Sequence, residues 1–414
     1  MSLQMRWVGE SELDRVAETR WMCYSHARKE LERYKQNLRQ DPRARPGDYL
    51  LAEQNGRPLG TATSLPLTMW VRGSPIPCQG VADVGTIKSA RRRGGAEPGI
   101  ASAIMREVLK IARERSAVVS ALMPFRASFY EHFGYGLVER RSDWTIPLSI
   151  VPPADCAGWR LATPEDRSAQ ADQWQSAIAA GQCEVERSPA RWKHRLPSEE
   201  EGMVFIDRPN PTGPESTHPV RAYAFITQEN ISGCNNLKVN DWSADSPETF
   251  ASLLAFLSTM RDQFSTLTIT TPADLPLGLL LREPQLPHRL VDHPAAEMHT
   301  ITRMQLRILD HRKFLESLHL PPSVRGRVTV AIKETEGSLS RFTIEFEAGR
   351  AHVTPSTGSA DFECLDRHWA SIATGDLLAT QAVRWNAARQ STPNAAAILD
   401  ALSTGPLPFC REYF

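Results

Sequence analysis

The chain has 414 residues, which is too long for a single hydrophobic core and suggests two to four domains. It carries 48 Lys and Arg residues against 48 Asp and Glu residues, so its formal net charge is zero, and 41% of its residues are hydrophobic. This balance argues against nucleic acid or a membrane surface as a partner.

The N-terminus and the cysteines indicate a cytoplasmic protein. Charged residues such as Arg6, Glu10 and Glu12 occupy positions where a secretory signal would be apolar, and no apolar run is long enough to span a bilayer. The seven cysteines are scattered without C-x-x-C spacing. We therefore expect reduced thiols, with neither a zinc site nor a disulfide framework.

The first elements alternate between strands and helices. Residues 5–8 are typical of a strand, and Ser11 is a suitable cap for the helix that follows. Asn55 and Gly56 separate two strand-like runs, and because both tolerate a positive φ angle they predict a tight hairpin.

Residues 81–96 form the most distinctive stretch of the sequence. A strand-like run ends near Ile87, a turn rich in arginine and glycine follows, and Pro98 is suited to the first position of a helix that runs to about Arg115. Glycine backbone, arginine side chains and a helix N-terminus together predict an anion site. A solvated basic turn before an ordinary helix is the alternative interpretation. The continuous apolar run 117–123 then predicts a buried central strand.

The spacing Arg91-x-x-Gly94-x-Ala96 resembles the pyrophosphate-binding loop of the GNAT family of N-acetyltransferases. The resemblance implies that the preceding strand, 83–87, splays from its neighbour and pairs through its backbone with the pantetheine arm of acetyl-CoA. It implies the following cofactor-binding residues: Val84, Gly85, Thr86, Arg91, Arg92, Arg93, Gly94, Gly95 and Ala96.

The segment 129–136 resembles a second GNAT motif, F-Y-x-x-x-G-F/Y, whose tyrosine lies beside the thioester sulfur. The resemblance assigns that position to Tyr130. The alternative is an aromatic helix end that packs into the core. We prefer this packing role for the neighbouring Phe129, Phe133 and Tyr135.

The middle of the chain repeats the pattern of the beginning. Pro152 and Pro153 mark a boundary, two strands are predicted near 220–226 and 237–242, and Ser246 caps a helix that runs to about Phe264. This part resembles a second acetyltransferase domain, an internal repeat. Because 243–247 lacks both glycine and arginine, we do not expect it to hold a pyrophosphate.

The last part of the chain has a different pattern of predicted elements. Residues 300–308 alternate as one strand, and a meander of strands from 327 to 354 precedes a helix that ends at Gly375. This part resembles a sterol-carrier-protein-like domain, a module that binds lipids in isolation. The predicted fold class is α+β with mixed sheets, divided into a catalytic domain at 1–150, a degenerate acetyltransferase-like domain at 151–294 and a sterol-carrier-like domain at 295–414.

This domain order, with the arginine loop, Tyr130 and a final Phe414, resembles the enhanced-intracellular-survival (Eis) acetyltransferases. The resemblance implies acetyl transfer from acetyl-CoA, without a metal, to amines such as those of aminoglycosides or lysine side chains. It also implies a homo-oligomer, a hexamer, in which the terminal carboxylate reaches the first active site.

In this interpretation the Phe414 carboxylate removes a proton from the amine, acts through water, or holds the ammonium in place. Because a free carboxylate is a weak base, burial has to raise its pKa. Tyr130 would protonate the leaving thiolate, and a strand N–H near 84–86 would meet the oxyanion. His132 and Glu131 are expected to be exposed helix residues, and Glu97 places a negative charge near the predicted diphosphate.

Two questions stay open at the level of sequence. Asp83 either pairs with an arginine of the loop or attracts a cationic amine substrate. The acceptor is either a small polycation of the aminoglycoside type or a protein lysine, and a lipid- or small-molecule-binding protein without transferase activity is the competing class.

Overall fold

The computed structural model describes residues 3–25, 27–91, 99–195, 202–209, 219–231, 233–283 and 295–414. Among these residues, no helix combines the length and the apolarity needed to cross a bilayer.

The described chain alternates strands and helices throughout. Its strands are β1 Gln4–Val8, β2 Tyr49–Gln54, β3 Arg57–Val71, β4 Ser74–Thr86, β5 Val119–Leu122, β6 Gly136–Leu137, β7 Arg140–Pro147, β8 Trp159–Leu161, β9 Gln182–Val185, β10 Met203–Asp207, β11 Ala222–Ile231, β12 Cys234–Ala244, β13 Thr266–Pro272, β14 Glu297–Thr302, β15 Gln305–Ile308, β16 Gly326–Lys333, β17 Leu339–Glu347, β18 Arg350–Pro355, β19 Phe362–Leu365 and β20 Ala388–Gln390. Its helices are α1 Leu13–Tyr24, α2 Leu31–Gln40, α3 Ile100–Glu114, α4 Ala127–Glu131, α5 Arg167–Ala179, α6 Pro189–Arg195, α7 Pro247–Ser258, α8 His311–Ser317, α9 Asp366–Ala373, α10 Ala379–Arg384 and α11 Ala395–Leu399.

The strands form three sheets. The first has the order β1-β2-β3-β4-β5-β15-β6, with β9 added against β3. The second has the order β14-β7-β13-β12-β11-β10-β8, and the third β18-β17-β16-β19-β20. Each sheet mixes parallel and antiparallel pairs, since β5, β13 and β19 each run parallel to a neighbour.

Local signals account for the start of the first sheet. Asn55 and Gly56 have φ angles of 53° and 72°, and they connect β2 to β3 in the predicted hairpin. On α3, Ile104 and Val108 are fully buried because this face of the helix packs on the sheet. Gly60 of β3 gives the helix room, since a Cβ atom there would lie 2.8 Å from the Ile104 side chain.

The second sheet repeats the central arrangement of the first. β12 runs parallel to β13 and leads into α7, as β4 runs parallel to β5 and precedes α3. Ser246 caps α7 by accepting a hydrogen bond from the Thr249 N–H, as the sequence predicts.

The third sheet packs against the helices α8, α9, α10 and α11. Trp369 of α9 is fully buried and meets Phe342 of β17 edge to face, at a centroid distance of 6.1 Å. One continuous apolar cluster joins this layer to the first sheet, with Leu65 and Ile76 at one end and Ile344 at the other. The likeness to sterol carrier proteins stays a prediction.

The strand predicted at 300–308 is two strands. β14 ends at Thr302 and pairs with β7 in the second sheet, whereas β15 begins at Gln305 and enters the first sheet between β5 and β6. The chain changes sheet at Arg303 and Met304, where Arg303 donates to the carbonyl oxygens of Cys410 and Glu412. Local alternation of apolar residues cannot show such a change, because it depends on contacts with distant parts of the chain.

Candidate active site

A groove opens where β4 and β5 diverge. Their parallel pairing covers Cys78 to Gly80 on β4 and ends at the pair Gly80 and Ala121, whereas β4 continues to Thr86. Within the described chain, β4 has no strand partner on its β5 side after Gly80. We call the space beside residues 81–86 of β4 the first-sheet groove. Its wall is strand backbone that is available to a ligand.

A β-bulge lies in this wall. On β3, Thr61 pairs with Gly85 and Thr63 with Ala82, so Asp83 and Val84 together oppose one residue. Asp83 has a φ angle of 52°, a left-handed conformation that aspartate tolerates better than most residues. In a bulge, one residue does not pair with the neighbouring strand, so its backbone N–H group is not used in a strand hydrogen bond.

Asp83 forms a salt bridge with Arg20 of α1, at 3.1 Å. Arg20 also donates to the Thr63 hydroxyl and lies over the ring of Tyr49, so its position is well fixed. Among the described residues, the partner of Asp83 is thus an arginine of the first helix, whereas Arg92 and Arg93 of the glycine-rich loop lie outside the described residues. The Asp83 side chain is still 40% exposed, so one side of the carboxylate faces solvent.

Gly85 allows α1 to approach the groove closely. A Cβ atom on Gly85 would lie 2.8 Å from the Tyr24 hydroxyl and 2.9 Å from Cys23 Cβ. Burial raises the pKa of the Cys23 thiol to about 12. This thiol therefore stays protonated near neutral pH and is a poor nucleophile.

Arg91 lies at the end of the groove. Its Nε donates to the carbonyl oxygen of Thr86 at 3.2 Å, and its Nη2 donates to that of Cys23 at 2.9 Å. These contacts bring the motif strand, α1 and the start of the predicted anion loop together. The other predicted loop residues lie outside the described residues: Arg92, Arg93, Gly94, Gly95 and Ala96.

Tyr130 lies in α4 within an aromatic cluster. It is 4% exposed and meets Phe125, Phe129 and Tyr135 at ring-centroid distances of 5.0 to 6.2 Å. Its hydroxyl forms no hydrogen bond with any described residue, whereas that of Tyr135 lies 2.6 Å from the Ser120 hydroxyl. Burial, together with Tyr135 and Tyr413, raises the pKa of Tyr130.

Phe414 lies at the mouth of the first-sheet groove. It is 7% exposed, and a Cβ atom on Gly80 would lie 3.1 Å from Cδ2 of the Phe414 ring. Gly80 is the last β4 residue paired with β5, so the Phe414 ring contacts the point of divergence. Tyr413, the residue before Phe414, is close enough to Tyr130 to contribute to its raised pKa, so it lies in the same region.

The segment that carries Phe414, residues 407–414, is held by both acetyltransferase-like parts of the chain. Its backbone N–H groups donate to Asp274, Gln182, Glu139 and Glu184. From the other side, Arg43 donates to the Tyr413 carbonyl oxygen at 2.6 Å. We call residues 407–414 the tail.

A buried ion-pair network fixes the tail next to Phe414. Glu412 is 2% exposed and bonds to Arg187 at 2.6 Å and Arg191 at 2.9 Å. Arg187, whose side chain is fully buried, also pairs with Asp241 at 2.7 Å. Sequence reasoning missed these residues because charged side chains are expected at the surface. A weak signal was the alternation of Gln182 and Glu184 with Cys183 and Val185 along β9.

A cavity of about 190 Å³ adjoins Phe414. Its charged lining residues are Arg43, Arg45, Glu186, Arg191 and Glu412. These side chains include more cations than anions, so the cavity is not acidic.

Two other candidates lie apart from this arrangement. His132 is exposed, with its Nδ1 2.7 Å from the Ser128 carbonyl oxygen, and Glu131 forms a 3.5 Å ion pair with Arg367. His132 is exposed as the sequence suggests, although it follows the last residue of α4, whereas Glu131 is only partly exposed.

The one group of carboxylates in the described chain that is close enough to share a metal is Glu334, Glu336 and Asp366. Arg307 bonds to both glutamates, and the Thr335 N–H donates to Asp366 at 2.7 Å. The protein itself thus supplies partners for these charges.

Two family models match the chain, and both are acetyltransferase (GNAT) domains. One covers residues 4–138 and the other 183–308. The first ends within the first sheet, after Tyr130, and the second includes the strands β12 and β13 and the helix α7. The predicted fold class, mixed α+β with two tandem GNAT domains, is confirmed.

Known proteins resemble the chain over almost its whole length. An uncharacterized N-acetyltransferase of Streptomyces avermitilis is 25% identical over 388 residues, which is 89% of each chain. Two crystal structures share the fold over all of both chains. A GCN5-related N-acetyltransferase from Anabaena variabilis has a TM-score of 0.83 at 18% identity, and Eis1 from Mycobacterium abscessus has a TM-score of 0.78 at 22% identity. The chain is therefore an N-acetyltransferase with two tandem GNAT domains.

Proposed function

We propose that the protein transfers acetyl from acetyl-CoA directly to a primary amine of a small polycationic acceptor at the first-sheet groove. Tyr130 is the general acid and the Phe414 carboxylate is the base. The observation that carries this proposal is the contact of Phe414 with Gly80, where the strands diverge, with Tyr130 buried in the same region.

The first-sheet groove suits the cofactor. GNAT acetyltransferases use acetyl-CoA, and the unpaired edge of β4 offers backbone groups to its pantetheine amides. Arg91 stands at the end of this edge, on the way to α3, where a diphosphate finds positive charge. Val84, Gly85 and Thr86 would contact the cofactor through their backbone.

The amine has to lose a proton before it attacks. An alkylammonium has a pKa of about 10, and a solvated carboxylate is a weak base toward it. Phe414 is 7% exposed, and its terminal carboxylate is the base in this proposal. As the nitrogen bonds to the acetyl carbon, the proton passes to this carboxylate.

The C–S bond breaks in the second half of the reaction. The free N–H of the bulge at Asp83 and Val84 stabilises the negative oxygen of the tetrahedral intermediate. Tyr130 then gives its proton to the departing sulfur. Its raised pKa keeps it protonated at neutral pH, and its hydroxyl has no partner among the described residues. Cys23, protonated and buried, does not suit an acetyl-enzyme intermediate.

The acceptor class rests on the resemblance to the Eis acetyltransferases, and Asp83 is the residue that supports it. The half-exposed Asp83 carboxylate borders the groove and attracts an ammonium group. The cavity at Phe414 is not acidic, so selection of a polycation depends on Asp83 and the Phe414 carboxylate. The homo-oligomer, a hexamer by the same resemblance, is part of the proposal, and light scattering of the purified protein tests it.

A thiol-release assay with acetyl-CoA tests the function. The acceptors are aminoglycosides, polyamines, a lysine-containing peptide and free amino acids, and calorimetry measures acetyl-CoA binding in parallel. We expect turnover on several aminoglycosides and little on the peptide. Turnover on the peptide alone would replace the acceptor with protein lysines, and absence of acetyl-CoA binding would contradict the proposed cofactor site.

A further inference from the structure

A large cavity lies in the second GNAT domain, apart from the first-sheet groove. Its volume is about 830 Å³, within the range of small-molecule sites. It is enclosed by one face of α5, the end of β12, the first turn of α7 and the segment 275–280. We call it the second-sheet cavity.

The second-sheet cavity occupies the position of the first-sheet groove in the repeated fold. The parallel pairing of β12 and β13 ends at Val239 and Ile269, and β12 continues to Ala244. Trp242 and Ala244, beyond the last pair, line the cavity, as do the first residues of α7. The second domain has thus kept the divergent strands and the space that they create.

The second-sheet cavity does not suit a phosphate group. The Ser246 side chain accepts from the Thr249 N–H at 3.1 Å, and Pro247 has no N–H, so part of the helix N-terminus is already used. Asp245 and Glu248 add negative charge beside it. A phosphate there would be repelled rather than held.

The walls combine apolar surface with a small excess of negative charge. Alanine, proline, leucine, valine and aromatic side chains form most of the lining, and Asp172, Asp245 and Arg411 are its charged members. Arg411 is paired with the buried Glu184 at 2.9 Å, so its charge is already balanced. Asp245 accepts a hydrogen bond from the neutral Thr249 hydroxyl at 2.7 Å, and both aspartates are exposed to solvent, where a cationic occupant can approach them.

Gln173 adds a buried acceptor. It is 7% exposed, and its Nε2 donates to the Arg221 carbonyl oxygen at 3.3 Å. Its Oε1 accepts no hydrogen bond from any described residue. This oxygen has almost no accessible surface, so we assign it no contact with an occupant.

We propose that the second-sheet cavity binds a small apolar molecule with a cationic group, with its hydrocarbon part against the α5 and 275–280 walls and its charge near Asp172 and Asp245. This site is separate from the acetyl-transfer site. Loss of ligand binding in the second-sheet cavity is therefore distinguishable from loss of acetyl transfer.

Calorimetry with the full chain tests this proposal, with octyltrimethylammonium as the probe, because this cation has no nitrogen that can be acetylated. Octanoate is the matched anion with the same type of hydrocarbon chain. We expect saturable binding of the cation at one site, and binding of octanoate at least about tenfold weaker, the scale of one favourable charge contact at a partly buried site. Equal or tighter binding of octanoate would overturn the proposal.

Two variants locate the binding. Ala177→Trp fills the cavity from α5 and should abolish binding of the cation. Asp172→Asn combined with Asp245→Asn changes only exposed positions, so it tests the site even if the first variant does not fold, and it should weaken cation binding several-fold. Asp262→Asn combined with Asp14→Asn makes the same change in charge elsewhere and should have no effect. Full cation affinity in the cavity-facing aspartate variant would refute the proposed site.

Discussion

Tyr130 and Tyr135 lie in similar surroundings but differ in the hydrogen bonding of their hydroxyl groups. Both rings are buried in the same aromatic cluster. The Tyr135 hydroxyl is engaged with Ser120, which in turn donates to Gln79 at 2.8 Å. The Tyr130 hydroxyl has no such partner in the described chain, so it is available to a bound thioester.

Tyr130→Phe should lower kcat by roughly two orders of magnitude or more, the effect of losing one general acid. Tyr135→Phe is the matched control. It should leave kcat within a few-fold of wild type and cost about 1 kcal/mol of unfolding free energy, because it breaks a buried hydrogen bond. Thiol release and thermal unfolding of both variants measure this. Equal activity of the two variants would return Tyr130 to a packing role.

The raised pKa of Tyr130 also predicts the shape of the pH profile. The phenol stays protonated above its ordinary pKa of about 10, so it donates its proton across the neutral and mildly alkaline range. As the pH rises, the amine substrate and the Phe414 carboxylate lose their protons before Tyr130 does. We therefore expect kcat/KM to rise from pH 6 to 9.5 without a descending limb. A fall that begins below pH 9 would exclude Tyr130 as the acid.

Two elements, the divergent strands and the tail, together form the proposed site. β4 and β5 create the groove, and the tail brings Phe414 to its mouth through contacts with both GNAT domains. The tail has no regular secondary structure, so side chains such as Glu412 and Arg187 hold its position.

Glu412→Gln tests whether this network positions Phe414. Loss of the Glu412 charge leaves Arg187 and Arg191 with one anionic partner fewer, and breaking a buried pair costs about 3 kcal/mol. We expect kcat to fall at least tenfold while the Kd of acetyl-CoA stays the same, because the tail is displaced and the cofactor strand is not.

Glu229→Gln is the matched control for that experiment. Glu229 pairs with Lys238 at 2.6 Å on the surface, where such pairs contribute little. It should change neither kcat nor stability. An unchanged kcat in Glu412→Gln would show that the network stabilises the fold without positioning Phe414.

Sequence reasoning predicted elements well where the cause is local. The hairpin follows from the φ angles that Asn55 and Gly56 accept, and α7 begins at the Ser246 cap. The change of sheet at Arg303 was not predicted, because it depends on carbonyl oxygens of the tail more than 100 residues away. The Arg187 network was missed because charged side chains are expected at the surface.

In the whole molecule, some strands lie in a sheet that is formed mainly by another part of the chain. β7, before residue 150, pairs with β13 and β14 in the second sheet, and β15, after residue 294, lies between β5 and β6 in the first. The division at 150 and 294 stays a prediction about domains. The pairing of strands shows that parts separated at these points would expose unpaired edges.

A chain truncated after residue 294 should therefore fail to fold cooperatively. It would lose β15 from the interior of the first sheet, β14 from the second, and the apolar surface of the third layer. Circular dichroism and thermal unfolding measure the outcome, and removal of Phe414 alone, which leaves the Glu412 and Arg411 ion pairs in place, is the control that should keep the fold. A folded 1–294 chain with a single unfolding transition would contradict the interlocked architecture.

Extension of the chain past Phe414 tests whether the terminal carboxylate has to stand at its present position. One added glycine moves the carboxylate by one residue and leaves the Phe414 ring, Tyr130 and the first-sheet groove in place. We predict that kcat falls at least about a hundredfold while the Kd of acetyl-CoA is unchanged, because one acid–base group is lost. Wild-type turnover in the extended protein would remove the Phe414 carboxylate from the reaction.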